Sequence, residues 1–419
     1  MMRRISRGIL TALASFLFSA PLWGQPSAQH WIGTANIRGQ RVPVDFHLSP
    51  ATKDGHITGS FLNGKESSVS SSGELSGTHL ILYFDYFARK LEGELTPEGF
   101  IGAFGGVSGT PITLELHSDH HLKSVPKPIN SAETTGIAGD WEIAVKSPKG
   151  ESAWTLRVTP SPDDLQIKAV ILRIDGDTGG LYGGFDASAS EYRVSRFAAS
   201  GPSLYSLKPL PNETLLVTNL LRDNQQWIAR RPSEARKENL PPPTKATDQT
   251  EMSDPSKPLQ FSAKTLSGEL VTTSDSRFRG KVMIVAIGGS WCPNCHDEAP
   301  FLVDLYNRYH ERGLEIVNIS FEEEEELKNP RRLRAFVSKY QIPYPVLLAG
   351  TPDQLDVKLP QVKNLNCWPT SFFIGRDGLV KEIHAGFSSE ATGPAYSELV
   401  AEANSLIEKL LAEKQVADR

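Results

Sequence analysis

The chain has 419 residues, of which 39% are apolar and 22% charged, a composition ordinary for soluble globular protein. That length exceeds what one hydrophobic core usually holds, so two or three domains are expected. The 44 basic and 49 acidic residues leave a net charge of −5, which gives no case for a nucleic-acid partner.

The first 24 residues read as a secretory signal peptide. Arg3, Arg4 and Arg7 form a basic start, Ile9 to Phe18 is mostly apolar, and Leu22-Trp23-Gly24 offers a cleavage point. The apolar run is shorter than the roughly 20 residues a spanning helix needs. Export is therefore expected, to the periplasm or beyond, with an uncleaved membrane anchor as the alternative. Residues 25–229 read as all-β, a sandwich or a barrel. Val42, Val44, Phe46 and Leu48 alternate with Pro43, Asp45 and His47, and Leu80, Leu82 and Phe84 alternate again. Asn63-Gly64 and Asp54-Gly55 suit hairpin turns. Trp31-Ile32-Gly33 and Gly139-Asp140-Trp141 open two similar stretches, 31–125 and 136–229, joined by residues 126–135, so a duplicated unit is considered. No ligand-site chemistry stands out there, and Trp31, Trp141, Trp154 and Phe185 are expected in the core. Residues 230–257 hold Pro232 and Pro241-Pro242-Pro243 among polar residues, which predicts an extended linker.

Residues 258–413 change to strand–helix alternation. A hairpin is expected around Ser267-Gly268, a buried strand over Val282 to Ile287, and a helix from Pro293 to Arg312 closed by Gly313. A strand (Leu314 to Phe321), a helix (Pro330 to Tyr340) and a short strand (Tyr344 to Leu348) follow. A hairpin around Arg376-Asp377-Gly378 and a last amphipathic helix (Ser397 to Leu411) complete an α/β layer.

Trp291-Cys292-Pro293-Asn294-Cys295 stands between the buried strand and the first of these helices. Two thiols one helical turn apart, after a strand and at a helix start, read as a dithiol/disulfide redox centre, Cys292-Cys295. Unpaired N–H groups and the helix dipole stabilise a thiolate at the first turn, so Cys292 is the expected attacking sulfur and Cys295 the resolving one. Pro293 suits the first helical position, where its missing N–H costs nothing. Half a zinc site is the other use of such a motif, but only Cys367 and scattered histidines remain as ligands, so no metal and no cofactor are expected.

These residues resemble the thioredoxin fold, and more closely the TlpA/ResA-like thiol-disulfide oxidoreductases of bacterial envelopes, over about residues 258–413. The resemblance is carried by Gly280-Lys281-Val282, Ser290-Trp291-Cys292-Pro293-Asn294-Cys295, Glu298-Ala299-Pro300, Trp368-Pro369-Thr370, and Asp377-Gly378 with Gly386. It implies a cis Pro369 facing the dithiol, and substrate contact through Trp291, Trp368 and Thr370. It further implies protein thiol/disulfide substrates and an upstream membrane dithiol donor. The buried Asp that thioredoxins place six residues before the first Cys is Ala286 here. Glu298, an acid at a family position one turn past Cys295, is the candidate proton carrier. His296 replaces a basic residue and is expected as a solvated helix side chain, with thiolate stabilisation as the alternative. Cys367, two residues before Pro369, is either a third redox thiol or a small buried apolar residue. Glu322 to Glu326 read as a solvated first helical turn, with an acidic docking site as the alternative. Two rival functions stand beside disulfide exchange. One is a thiol peroxidase of the peroxiredoxin-like class, for which Val285 and Gly289 stand where peroxide-activating residues belong. The other is an envelope binding protein with an accessory redox domain.

Overall fold

The structure, a computed structural model, describes residues 28–52, 56–106, 110–118, 136–160 and 167–413. The expected leader at 1–24, the Asp54-Gly55 turn and the connection at 126–135 lie outside the described residues. Among the described residues no helix is long and apolar enough to cross a membrane.

The β-rich region forms two antiparallel sheets of nine strands each, one over residues 29–118 and one over 139–230. The first sheet rolls up. Its edge strands Glu66–Val69 and Ser72–Ser76 are consecutive in the chain, with only Ser70 and Ser71 between them, so the two edges come together at that corner. Period-two alternation decides which side faces inward: Val42, Val44, Phe46 and Leu48 are buried along one strand while Arg41 and Pro43 are exposed. Trp31 stacks between Phe46 and Phe100, with ring centroids 5.8 Å apart on each side, and Phe61, Phe84 and Phe104 fill the rest. The second sheet closes by hydrogen bonds, because Ala153–Pro160 pairs with both Gly139–Ala144 and Ile167–Arg173. Of the sandwich and barrel alternatives, the strand order thus selects barrels.

The segment predicted as an extended linker is ordered. Pro232–Lys237 forms a helix with Ala235 buried, and the Arg231 guanidinium lies 3.7 Å from the centre of the Trp141 ring. Pro242 accepts a hydrogen bond from Ser152 Oγ, and Glu251–Met252 pairs with Val362–Lys363. Low apolar content did not leave it free, since its polar groups are satisfied by the domains on either side.

The C-terminal domain is a seven-stranded mixed sheet of β1 (Ser262–Thr265), β2 (Leu270–Thr272), β3 (Val282–Gly288), β4 (Leu314–Phe321), β5 (Val346–Gly350), β6 (Thr370–Ile374) and β7 (Val380–Ala385). Its order is β2-β1-β5-β4-β3-β6-β7, with β3, β4 and β5 parallel and β6 and β7 antiparallel. β3 is buried along its whole length, as its unbroken apolar run requires. Helices α1 (Pro293–Tyr309) and α3 (Pro394–Ala412) cover one face through Leu302, Leu305, Ala403 and Ile407. Helix α2 (Arg331–Tyr340) packs Leu333 and Phe336 near Ala299 of α1. The α1 helix ends three residues earlier than the apolar period suggested. A 3-10 turn, His310–Arg312, intervenes before Gly313 at φ 104°, where a residue without a Cβ suits the left-handed cap.

Candidate functional site

The C-terminal end of β3 delivers the chain into the turn Gly289-Ser290-Trp291 and then into α1. Cys292 is the N-cap of α1 and Pro293 its first residue. The Cys295 N–H points at Cys292 Sγ at 3.3 Å, and the Cys292 thiol donates to the Trp368 carbonyl oxygen at 3.4 Å. All three cysteines are free thiols. The Trp368–Pro369 peptide is cis, and the Gly386 N–H donates to the Pro369 carbonyl at 2.7 Å. Thus Cys292, Cys295, Trp368 and Pro369 come together where β3 and β6 lie side by side. Trp291 and Trp368 meet edge to face with centroids 5.4 Å apart, and Trp291 Nε1 donates to the Phe321 carbonyl.

Cys295 is enclosed. Burial, then the hydrogen bond and charge of Cys292 and the charge of Glu298, push its thiol well above the ordinary value. Gly288 leaves little room beside it: a Cβ there would lie 3.1 Å from Cys295 Sγ. Glu298 is also buried and accepts a hydrogen bond from Ser371 Oγ at 2.7 Å. Burial pushes its carboxyl up to about 7, and the Ser371 bond opposes that only in part. A carboxyl poised there can take or give a proton near neutral pH. Ala286 is fully buried and supplies no proton.

Three expectations are corrected. Thr370 is fully buried and donates to the Cys367 carbonyl at 2.9 Å, so it shapes the loop from beneath instead of meeting substrate. His296 is not solvated. Its Nε2 bonds the Ser290 carbonyl oxygen, its ring lies 4.1 Å from Phe87 of the first barrel, and burial pushes the imidazole down to about 3. It is a neutral wedge between domains and brings no charge to the thiols. Glu322 is no solvated turn residue either, being fully buried. It accepts from Ser290 N–H and Ser290 Oγ, each at 2.7 Å, and pairs with Arg332 at 2.8 Å. Arg332 Nε in turn donates to Ser290 Oγ. This network pins the turn two residues before Cys292. The run of five glutamates hid Glu322, because composition gives no sign which one points inward. Cys367 is buried against Ile174 of the second barrel and Ala385, and burial pushes its thiol up to about 12.

Sequence reasoning missed the part the second barrel plays. The Asp175 carbonyl accepts from Asn294 Nδ2, inside the dithiol motif, at 2.8 Å. Asp177 accepts from both the backbone N–H and the hydroxyl of Ser389. Gly386 lies so close to Ile174 that a Cβ on it would come within 2.2 Å of the Ile174 carbonyl. Above Cys292 this leaves a cleft of about 400 Å3, walled on one side by Trp291, Trp368 and Asn294 and on the other by Trp154, Arg173 and Trp227.

A mixed sheet with a parallel centre, a dithiol at a helix start and a cis-proline loop opposite it define a thioredoxin-fold domain. Residues 256–383 match the AhpC/TSA family. The chain is 29% identical over 126 residues to the thioredoxin-like protein YneN of Bacillus subtilis, covering 30% of this chain and 68% of that one. It is 32% identical over 124 residues to the thiol-disulfide oxidoreductase ResA of Bacillus cereus, covering 29% of this chain and 64% of ResA, a little under two thirds of its length. Among solved structures, a thiol:disulfide interchange protein from Chlorobium tepidum aligns over 38% of this chain and 98% of its own, at 26% identity and a TM-score of 0.30. Within the thioredoxin-fold class, the C-terminal domain is TlpA/ResA-like, similar to the thiol-disulfide oxidoreductases over the residues that align.

Proposed function

We propose that the protein is an exported thiol-disulfide oxidoreductase whose Cys292-Cys295 dithiol reduces or exchanges disulfides in protein substrates. The observation that carries this is the position of Cys292 Sγ, at the start of α1, 3.3 Å from the Cys295 N–H and 3.4 Å from the Trp368 carbonyl. A sulfur so placed has a helix end behind it and the edge of a cis-proline loop in front. The Cys292 thiolate attacks one sulfur of the substrate disulfide. A Cys292–substrate disulfide forms, and the other substrate sulfur leaves as a thiolate that takes up a proton. Glu298 accepts the proton of Cys295, which attacks Cys292 Sγ. The mixed disulfide breaks, the second substrate thiol is released, and Cys292-Cys295 is left oxidised. The substrate gains two electrons and the enzyme loses two. An upstream membrane dithiol donor restores the thiols. Trp368 and Pro369 hold the substrate chain beside Cys292 through their backbone, and Trp291 borders it.

The test is a trapping experiment. Cys295→Ala with Cys292 retained should accumulate mixed disulfides with envelope proteins, resolvable by mass spectrometry, and Cys292→Ala should yield none. Full activity in Cys292→Ala would sink the proposal. Rapid peroxide consumption by the wild type without protein adducts would instead favour the peroxidase.

A further inference from the structure

Cys292 keeps only 3% of its surface exposed. What remains opens into the cleft against the second barrel. The ground beside it that a folded partner would occupy is already taken by Asp175 on Asn294 and by Gly176 beside Asn294 and Phe387. A folded protein partner needs about 800 Å2 of surface on each side. A cleft of about 400 Å3 instead falls in the range of small-ligand sites, roughly 300–1,000 Å3.

The barrel wall has a definite chemistry. Trp154 and Trp227 pack with centroids 5.2 Å apart, and the Arg173 guanidinium lies 5.8 Å from the Trp154 ring. Of the basic groups lining the cleft, Lys149 is paired with Asp175 and Arg196 with Glu66. Arg173 and Arg222 make no ion pair or side-chain hydrogen bond among the described residues, and Trp154 Nε1 and Arg173 Nε are buried without an acceptor. The acidic lining residues are committed elsewhere, Asp175 to Lys149 and Asp177 to Ser389. The unspent capacity of this wall is therefore cationic and donating, on an aromatic surface.

We propose that this cleft takes a disulfide carried on a short, extended, carboxylate-bearing peptide segment. Its apolar part stacks on Trp154 and Trp227, its carboxylates pair with Arg173 and Arg222, and one sulfur faces Cys292. The proposal rests on Cys292-Cys295 acting as a dithiol and uses the same two-electron exchange. Two sources supply that chemistry, a free small-peptide disulfide and a flexible segment of a larger protein.

Four probes separate the cases with the full-length reduced protein at pH 6, where the barrels stay docked: a self-quenched peptide disulfide flanked by glutamates, its lysine counterpart, the glutamate peptide grafted on the flexible tail of a folded carrier, and a compact domain with a surface disulfide. The glutamate peptide should be reduced at least tenfold more efficiently than the lysine peptide or the compact domain. Arg173→Met and Arg222→Met should each raise its KM severalfold with kcat changed less than twofold, and Arg173→Lys should recover part of the loss. Equal rates on the free and the grafted glutamate peptide support a flexible protein segment, and reduction of the free peptide alone supports a small soluble disulfide. Equal rates on glutamate and lysine peptides, or on the compact domain, overturn the cleft assignment alone. No reduction of any probe overturns the dithiol reading and the cleft assignment together.

Discussion

At the scale of single residues, the proposed mechanism gives Glu298 the proton of Cys295. Both are buried, and burial pushes both toward their neutral forms. A neutral Glu298 cannot accept the Cys295 proton, so resolution of the mixed disulfide should speed up as pH rises through about 7 and then level off. Glu298→Gln should remove that inflection and slow resolution about 10- to 100-fold, read by stopped-flow decay of a preformed Cys292 mixed disulfide. The stability effect runs the other way. The folded carboxyl sits above its ordinary value of 4.5, so the contribution of Glu298 is complete below that value and is lost as pH rises through about 7. Glu298→Gln should therefore raise the melting temperature at pH 8 relative to wild type and do little at pH 5. The placement of Cys292 and Cys295 was legible in sequence because it is local, being set by a strand, a turn and a helix start within a dozen residues. Ser371, which holds Glu298, was not, since it comes from β6, 73 residues further along the chain.

At the scale of elements, the turn between β3 and α1 owes its position to groups from the end of β4 and the start of α2. Ser290, Glu322 and Arg332 form a network, joined by Ser320 on Glu322 and Glu323 on Arg332, in which the buried polar atoms are partnered. Removing Glu322 leaves the buried Ser290 N–H and the Ser320 hydroxyl without their acceptor, while Arg332 keeps Glu323 and Ser290. Glu322→Ala should cost about 1–3 kcal/mol, the usual penalty for leaving a buried donor without its acceptor. Urea denaturation of the full chain should show this as a weakened transition of the C-terminal domain. Glu322→Gln keeps the shape and one acceptor and should cost less. Either variant frees the turn, and alkylation of Cys292 by iodoacetamide should quicken. Equal alkylation rates in wild type and both variants would show that the network does not position the thiol. Strand and helix identities in this domain were legible because periodicity and glycine caps are local signals. The barrel was not separable from a sandwich, because alternation of period two is common to both and only strand order distinguishes them.

At the scale of the whole molecule, two barrels and a redox domain meet around α1, and the meeting place is rich in carboxyls. Asp297 lies on α1 beside the dithiol motif and borders a cavity of about 500 Å3 shared by all three units. Burial, then the charge of Asp177 from the second barrel, push its carboxyl up to about 7, with a smaller push from Glu66 of the first barrel and an opposing pull from Arg196. Asp304, Lys339 and Glu390 also border the cavity. None of this is readable from sequence, because residues 66, 177, 196 and 297 are neighbours only once the barrels are docked. The docked state favours neutral Asp297, whose ordinary value is 3.8. Its contribution to docking is therefore complete below that value and lost as pH rises through about 7. The barrels should then loosen from the redox domain between pH 6 and pH 8.5. Limited proteolysis of the connector at 230–257 should quicken severalfold over that interval, while Asp297→Asn should hold the slow rate throughout. Because the second barrel also walls the dithiol cleft, the same loosening should bring a compact folded disulfide within reach of Cys292 at high pH, and Asp297→Asn should keep it out. If cleavage and access to folded substrate are independent of pH in both proteins, Asp297 does not control the docking.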